Sequence, residues 1–126
     1  MNNIDLAKIT EDDICFYSRK SKFTGKGNSI VNQIEMGREY CIKNFGVGIK
    51  DENIFEDEGY SGKSTNRPDF IKMMKKIEQG KYKMLVCYRL DRISRSIRDF
   101  AQIIDILDKH GTAFVSLRES FDTTTP

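Results

Sequence analysis

Apolar positions along this chain follow two rhythms. Short unbroken runs, Ile14-Cys15-Phe16-Tyr17 and Ala113-Phe114-Val115-Ser116-Leu117, read as buried strands. Met84 to Leu90 is the strongest strand pattern, continuous in apolar residues until Arg89, and Asn53 to Asp57 supplies a fourth. Between them the spacing changes to that of helices. Ile30, Ile34, Tyr40 and Cys41 share one side of a helix expected over Ser29 to Asn44, with Ser29 as its cap and Gly46 as its stop. Pro68 opens the next, which carries Phe70, Met73, Met74 and Ile77 and ends before Gly80. Ile97, Phe100, Ala101, Ile104 and Leu107 form the third, with Gly111 beyond it. Lys20 to Asn28 reads as a glycine-containing loop, Gly59-Tyr60-Ser61-Gly62 as a break, and Thr123 to Pro126 as a tail that leaves directly from a strand.

Strands alternating with helices imply an α/β fold, a mostly parallel central sheet flanked by helices. Ligands of such sheets bind beyond the carboxyl ends of the strands. Arg19 and Ser21, then Asp91, Arg92 and Arg95, then Glu119 and Asp122, all fall just past expected strand ends and converge on one edge. A length of 126 residues suits one domain. A chain of that size buries roughly two-thirds of its unfolded surface and needs neither disulfide nor structural metal.

Composition narrows the chemistry. The longest apolar run, Met84 to Tyr88, is far shorter than the roughly 20 residues that span a bilayer. No membrane association is expected, and with no signal-like amino terminus the expected location is cytoplasmic. Cys15, Cys41 and Cys87 are odd in number and widely spaced, as buried reduced thiols are. A single histidine, His110, leaves no zinc constellation, and no metal or other cofactor is expected.

A net charge of +2 hides local cationic sites. Four of the eight arginines, Arg89, Arg92, Arg95 and Arg98, lie within ten residues, and Arg19, Lys20, Lys22 and Lys26 form a second group. Gly62-Lys63-Ser64 imitates a phosphate-binding loop, but Asp57 stands where that motif needs glycine. Cys87 and Arg92 are one residue too close for a cysteine phosphatase loop and Cys87 reads as core. Asp57, Asp91, Glu119 and Asp122 offer a metal-dependent nuclease its carboxylates, although the arginines beside Asp91 oppose a bound cation. Arg92 and Arg95 are one helical turn apart and can present two guanidinium forks to a phosphate. Ser21, two residues after Arg19, is a nucleophile only where electrostatics support its attack.

Taken together, Tyr17-x-Arg19-x-Ser21, Gln33, Gly59-Tyr60-Ser61-Gly62 with Arg67-Pro68, Tyr88 to Ser96, and Ser116 to Thr125 resemble the catalytic domain of the serine recombinases. The likeness to this resolvase and invertase family is greatest for its large serine integrase branch and covers residues 12 to 126 in the family's order. It implies a resolvase-like domain in which Ser21 attacks a DNA phosphodiester, leaving a 5′-phosphoserine bond and a free 3′-hydroxyl, without metal or ATP. By the same resemblance Arg19, Arg67, Arg92 and Arg95 surround the scissile phosphate, Gln33, Ser61 and Asp91 complete or orient the site, and Tyr17 and Arg89 support it. The implied partners are double-stranded DNA and further copies of the chain, a homodimer assembling to a tetramer in the synaptic complex. The loop over residues 22 to 28 is longer than in small resolvases. The family's long dimerisation helix and carboxy-terminal DNA-binding domains would lie beyond Pro126, so residues 1 to 126 are expected to be one catalytic domain that is inactive alone. The competing readings are the metal-dependent nuclease and a non-enzymatic α/β interaction module.

Overall fold

The computed structural model describes residues 9–21, 30–59, 67–88, 97–118 and 121–122. Its elements alternate as expected: β1 (Ile14–Ser21), α1 (Ile30–Phe45), β2 (Ile54–Gly59), α2 (Pro68–Glu78), β3 (Met84–Cys87), α3 (Ile97–Lys109), β4 (Ala113–Ser116) and β5 (Phe121–Asp122). The strands form one sheet in the order β2-β1-β3-β4-β5. The first four are parallel and β5 returns antiparallel along β4.

Burial on both faces explains the continuous apolar runs. Cys15, Tyr17, Leu85, Cys87 and Phe114 turn to one side, where Met73, Met74 and Ile77 of α2 and Ile103 and Leu107 of α3 meet them. Ile14, Phe16, Met84, Val86, Ala113 and Val115 turn to the other, which α1 covers through Cys41 with Ile34 and Tyr40. All three cysteines are buried and none is in a disulfide. Each helix ends at a glycine with positive φ: Gly46 at 74°, Gly80 at 80° and Gly111 at 72°. No helix among the described residues is long and apolar enough to cross a membrane.

Three boundaries depart from the sequence expectation. First, β1 continues through Lys20 to Ser21, positions expected in a loop, because β2 stays paired beside it as far as Ser21 against Gly59. Backbone pairing outweighs the polar composition there. Second, β3 ends at Cys87 rather than Leu90, with Tyr88 in a bend; residues 89 and 90 lie outside the described residues. Third, β4 ends at Ser116 rather than Leu117, and a further short strand, β5, follows it; the expected tail over residues 123–126 lies outside the described residues. Two residues are too few for a period to reveal, and their hairpin partner alone defines them. Ser29, the expected cap of α1, lies outside the described residues.

This strand order has its topological switch between β1 and β3, since the chain leaves β1 in one direction and returns on its other flank. Among the described residues the last partners across that boundary are Tyr17 and Cys87, whereas β1 follows β2 for four residues more. The carboxyl end of β1 therefore projects beside the position where the chain leaves β3.

Candidate active site

The best-defined part of the site is built around a carboxylate. Asp57, on β2, is 5% exposed and makes three hydrogen bonds. Its Oδ1 accepts the backbone N–H of Asp69 at 3.0 Å, and its Oδ2 accepts that of Phe70 at 3.0 Å. Those groups are orphan donors of the first turn of α2. Arg67, at the N-cap position, provides no side-chain cap of its own, so a strand twelve residues upstream of Asp69 supplies it. A negative charge there is further favoured by the helix dipole.

The third bond links this cap to Tyr17. The Tyr17 hydroxyl donates to Asp57 Oδ2 at 2.7 Å and accepts from Arg67 Nε at 3.4 Å. Burial pushes the phenol upward from its ordinary value, and the neighbouring Arg67 charge only partly offsets that. The hydroxyl keeps its proton and can fill both roles at once. Arg67 is also stacked, its guanidinium carbon 3.8 Å from the Phe70 ring centroid and 5.3 Å from that of Tyr17, while the two rings meet edge to face at 5.1 Å. Among the described residues Arg67 Nη2 is buried without a hydrogen-bond partner.

On the opposite face of β1 the Ser18 hydroxyl donates to Gln33 Oε1, both residues being buried. The bond ties β1 to α1 just before the strand's polar end. Ser18 was not among the residues singled out from sequence, although alternation along β1 places it with Ile14 and Phe16 on the α1 face, where a buried hydroxyl needs a partner.

The expected site residues are distributed as follows. Tyr17 and Arg67 are in contact, and Arg19 stands opposite Asp57 in the β1–β2 register, partly buried. Ser21 is the last residue of β1, two positions beyond Arg19. Gln33 lies under β1 on the α1 side. Ser61, Arg89, Asp91, Arg92 and Arg95 lie outside the described residues. Asp57 is one of the carboxylates that the competing nuclease reading would use. Its two oxygens already serve Tyr17 and the start of α2, so that reading loses one of its ligands.

The chain matches the family described as Resolvase, N terminal domain, over residues 14–126. It is 41% identical over 75 residues to a DNA-invertase of Enterobacteria phage P7, a stretch covering 60% of this chain and 39% of that protein. It is 38% identical over 73 residues to DNA-invertase hin of Salmonella typhimurium, covering 58% and 37%. The chain thus spans well under half the length of these curated relatives. Among solved structures it is similar to the N-terminal catalytic domain of TP901-1 integrase, with a TM-score of 0.74, 33% identity, and coverage of 89% of this chain and 82% of that one. It is also similar to a resolvase family site-specific recombinase from Streptococcus pneumoniae, with a TM-score of 0.76, 25% identity, and coverage of 94% and 78%.

Proposed function

Because the chain belongs to the resolvase family through its N-terminal domain, we propose that it is the catalytic domain of a site-specific DNA recombinase. The reaction is a transesterification. The Ser21 oxygen attacks a backbone phosphorus, the bond to the 3′-oxygen breaks, and that oxygen leaves with a proton as a free hydroxyl. One phosphodiester becomes another, so the bond energy is kept in the 5′-phosphoserine and rejoining is the same step reversed, with no metal or ATP. Arg19, Arg67, Arg92 and Arg95 hold the phosphate oxygens and stabilise the charge that grows on them in the transition state. Gln33, Ser61 and Asp91 orient the site, with Tyr17 and Arg89 in support. The partner is double-stranded DNA in the cytoplasm. Dimers assembling to a tetramer, with a long helix and DNA-binding domains beyond residue 126, would complete the machine.

The observation that carries this reading is Arg67 Nη2. A buried donor without an acceptor costs about 1–3 kcal/mol, and here the donor, which has no acceptor among the described residues, belongs to a guanidinium whose other contacts fix it beside β1. A phosphate oxygen arriving at the end of β1 supplies the acceptor and forms a charge-assisted bond.

The test is a suicide DNA substrate offered to the intact protein in the presence of a chelator. Wild type is expected to accumulate a covalent protein–DNA species, and Ser21→Ala to form none while still binding the DNA. An adduct that persists in Ser21→Ala, or one that requires a divalent metal, overturns the assignment.

A further inference from the structure

Arg118 is an exposed arginine that belongs to none of the groups assigned above. The β3–β4 pairing continues past the ends of both strands: Leu117 N–H donates to the Cys87 carbonyl at 3.1 Å, and Arg118 N–H to that of Tyr88 at 3.0 Å. Two successive backbone bonds thus fix Arg118 beside the residue that immediately precedes Arg89. Its side chain is steadied as well, with the guanidinium carbon 5.9 Å from the ring centroid of Tyr88, which is only 3% exposed. An arginine held by its face against an aromatic ring keeps its N–H edges free to bind an anion. It makes no ion pair among the described residues.

Its level on the sheet is fixed by register. Tyr17, Cys87 and Ser116 are successive partners across β1, β3 and β4. Arg19 continues β1 two residues beyond that row, and Arg118, in the turn after β4, is hydrogen-bonded to Tyr88 just past the end of β3, so both lie towards the same carboxyl edge. The strands they follow, β1 and β4, are two strand spacings apart, about 10 Å. A DNA backbone that crosses this edge with its scissile phosphate at Arg19 therefore brings a flanking phosphate to Arg118.

We propose that Arg118 is a DNA-backbone anchor at the far side of the site, binding a phosphate that flanks the one cut. This rests on the recombinase reading for the placement of the DNA, and it needs no sequence recognition. A guanidinium on a phosphate adds affinity that is lost as salt rises, because counterions released on binding are then less diluted.

The experiment compares intact wild type with Arg118→Ala and Arg118→Lys, measuring duplex affinity over a range of salt concentrations. Arg118→Ala is expected to bind several-fold more weakly, by a similar factor on target and unrelated duplexes, with the log–log salt slope smaller by about 0.9. Arg118→Lys, which keeps the charge, is expected to recover most of that slope. Unchanged affinity and slope in Arg118→Ala overturn the anchor, and weaker binding with an unchanged slope does so too, by showing a structural effect. Wild-type adduct formation on the suicide substrate is read separately. If adducts form and the slope does not respond, the anchor fails alone; if the slope responds and no adduct forms, the recombinase reading fails alone.

Discussion

At the scale of single residues the economy of Asp57 matters most, since one carboxylate caps α2 and, through the Tyr17 hydroxyl, holds Arg67 in place. The two tasks can be separated. Asp57→Asn replaces one acceptor oxygen by a donor amide and removes the charge that the helix end favours, so a stability loss of about 1–3 kcal/mol is expected in urea unfolding. Tyr17→Phe leaves both backbone bonds to α2 intact and cuts the hydroxyl's own bonds to Asp57 and Arg67. On the proposed recombinase reading it is expected to lose less stability than Asp57→Asn yet to slow single-turnover DNA cleavage by on the order of 100-fold, because Arg67, proposed to hold the phosphate, loses a positioning bond. Equal stability losses with unaltered cleavage in Tyr17→Phe would remove Tyr17 from the positioning chain. The signals for this network were visible in part: Tyr17 and Arg67 stood out through the family resemblance, while Asp57 entered only as one of the carboxylates available to the competing nuclease reading. Its hydrogen-bond partners lie on another element, and no local spacing announces them.

At the scale of elements, α1 packs by close approach rather than bulk. Gly37 lies against Phe16, and a Cβ added there would fall 2.6 Å from the ring's Cε2. Phe16 is fully buried and cannot retreat. In an isolated helix Gly→Ala gains up to about 1 kcal/mol, but overpacking of a core ring costs about 1–3 kcal/mol. Gly37→Ala is therefore expected to destabilise the protein by about 1–2 kcal/mol. Gly48→Ala is the control, because nothing lies within 4 Å of its added Cβ. A rise in unfolding midpoint for Gly37→Ala would show that α1 can slide away from β1. The periodicity of Ile34, Tyr40 and Cys41 announced the helix and its inward side. That Gly37 is the point of closest contact was not legible, because a residue with no side chain leaves no mark in a hydrophobic pattern.

For the whole molecule, the core sets a dependence on alkaline pH. Burial pushes the Cys41 thiol up from 9.0 to about 12 and the Tyr82 phenol from 10.0 to about 12, and it raises Cys15 and Tyr17 in the same direction. In each case the folded protein resists ionisation that the unfolded chain allows. Stability is undiminished below about pH 9 and declines as pH climbs from there through the folded values near 12. At pH 10.5 Cys41 alone accounts for up to about 2 kcal/mol. Urea midpoints should agree at pH 7 and 8 and fall by pH 10.5, and Cys41→Ala should lessen the fall. A midpoint that holds at pH 10.5 would mean the thiols reach solvent without unfolding.

The chain's own order of residues was enough for the α/β alternation, the three helices with their glycine stops, the burial of the cysteines and the family resemblance, because each is written in short-range periodicity or in motifs read in order. Tertiary structure alone decided that β1 extends to Ser21, that β5 pairs antiparallel, that Asp57 caps a helix twelve residues away, and that the buried Arg67 Nη2 finds no acceptor among the described residues. The reason is common to all four. A strand's length and a polar group's partner depend on what lies across a sheet or beside a helix end, and such neighbours are brought together by the fold rather than by proximity along the chain.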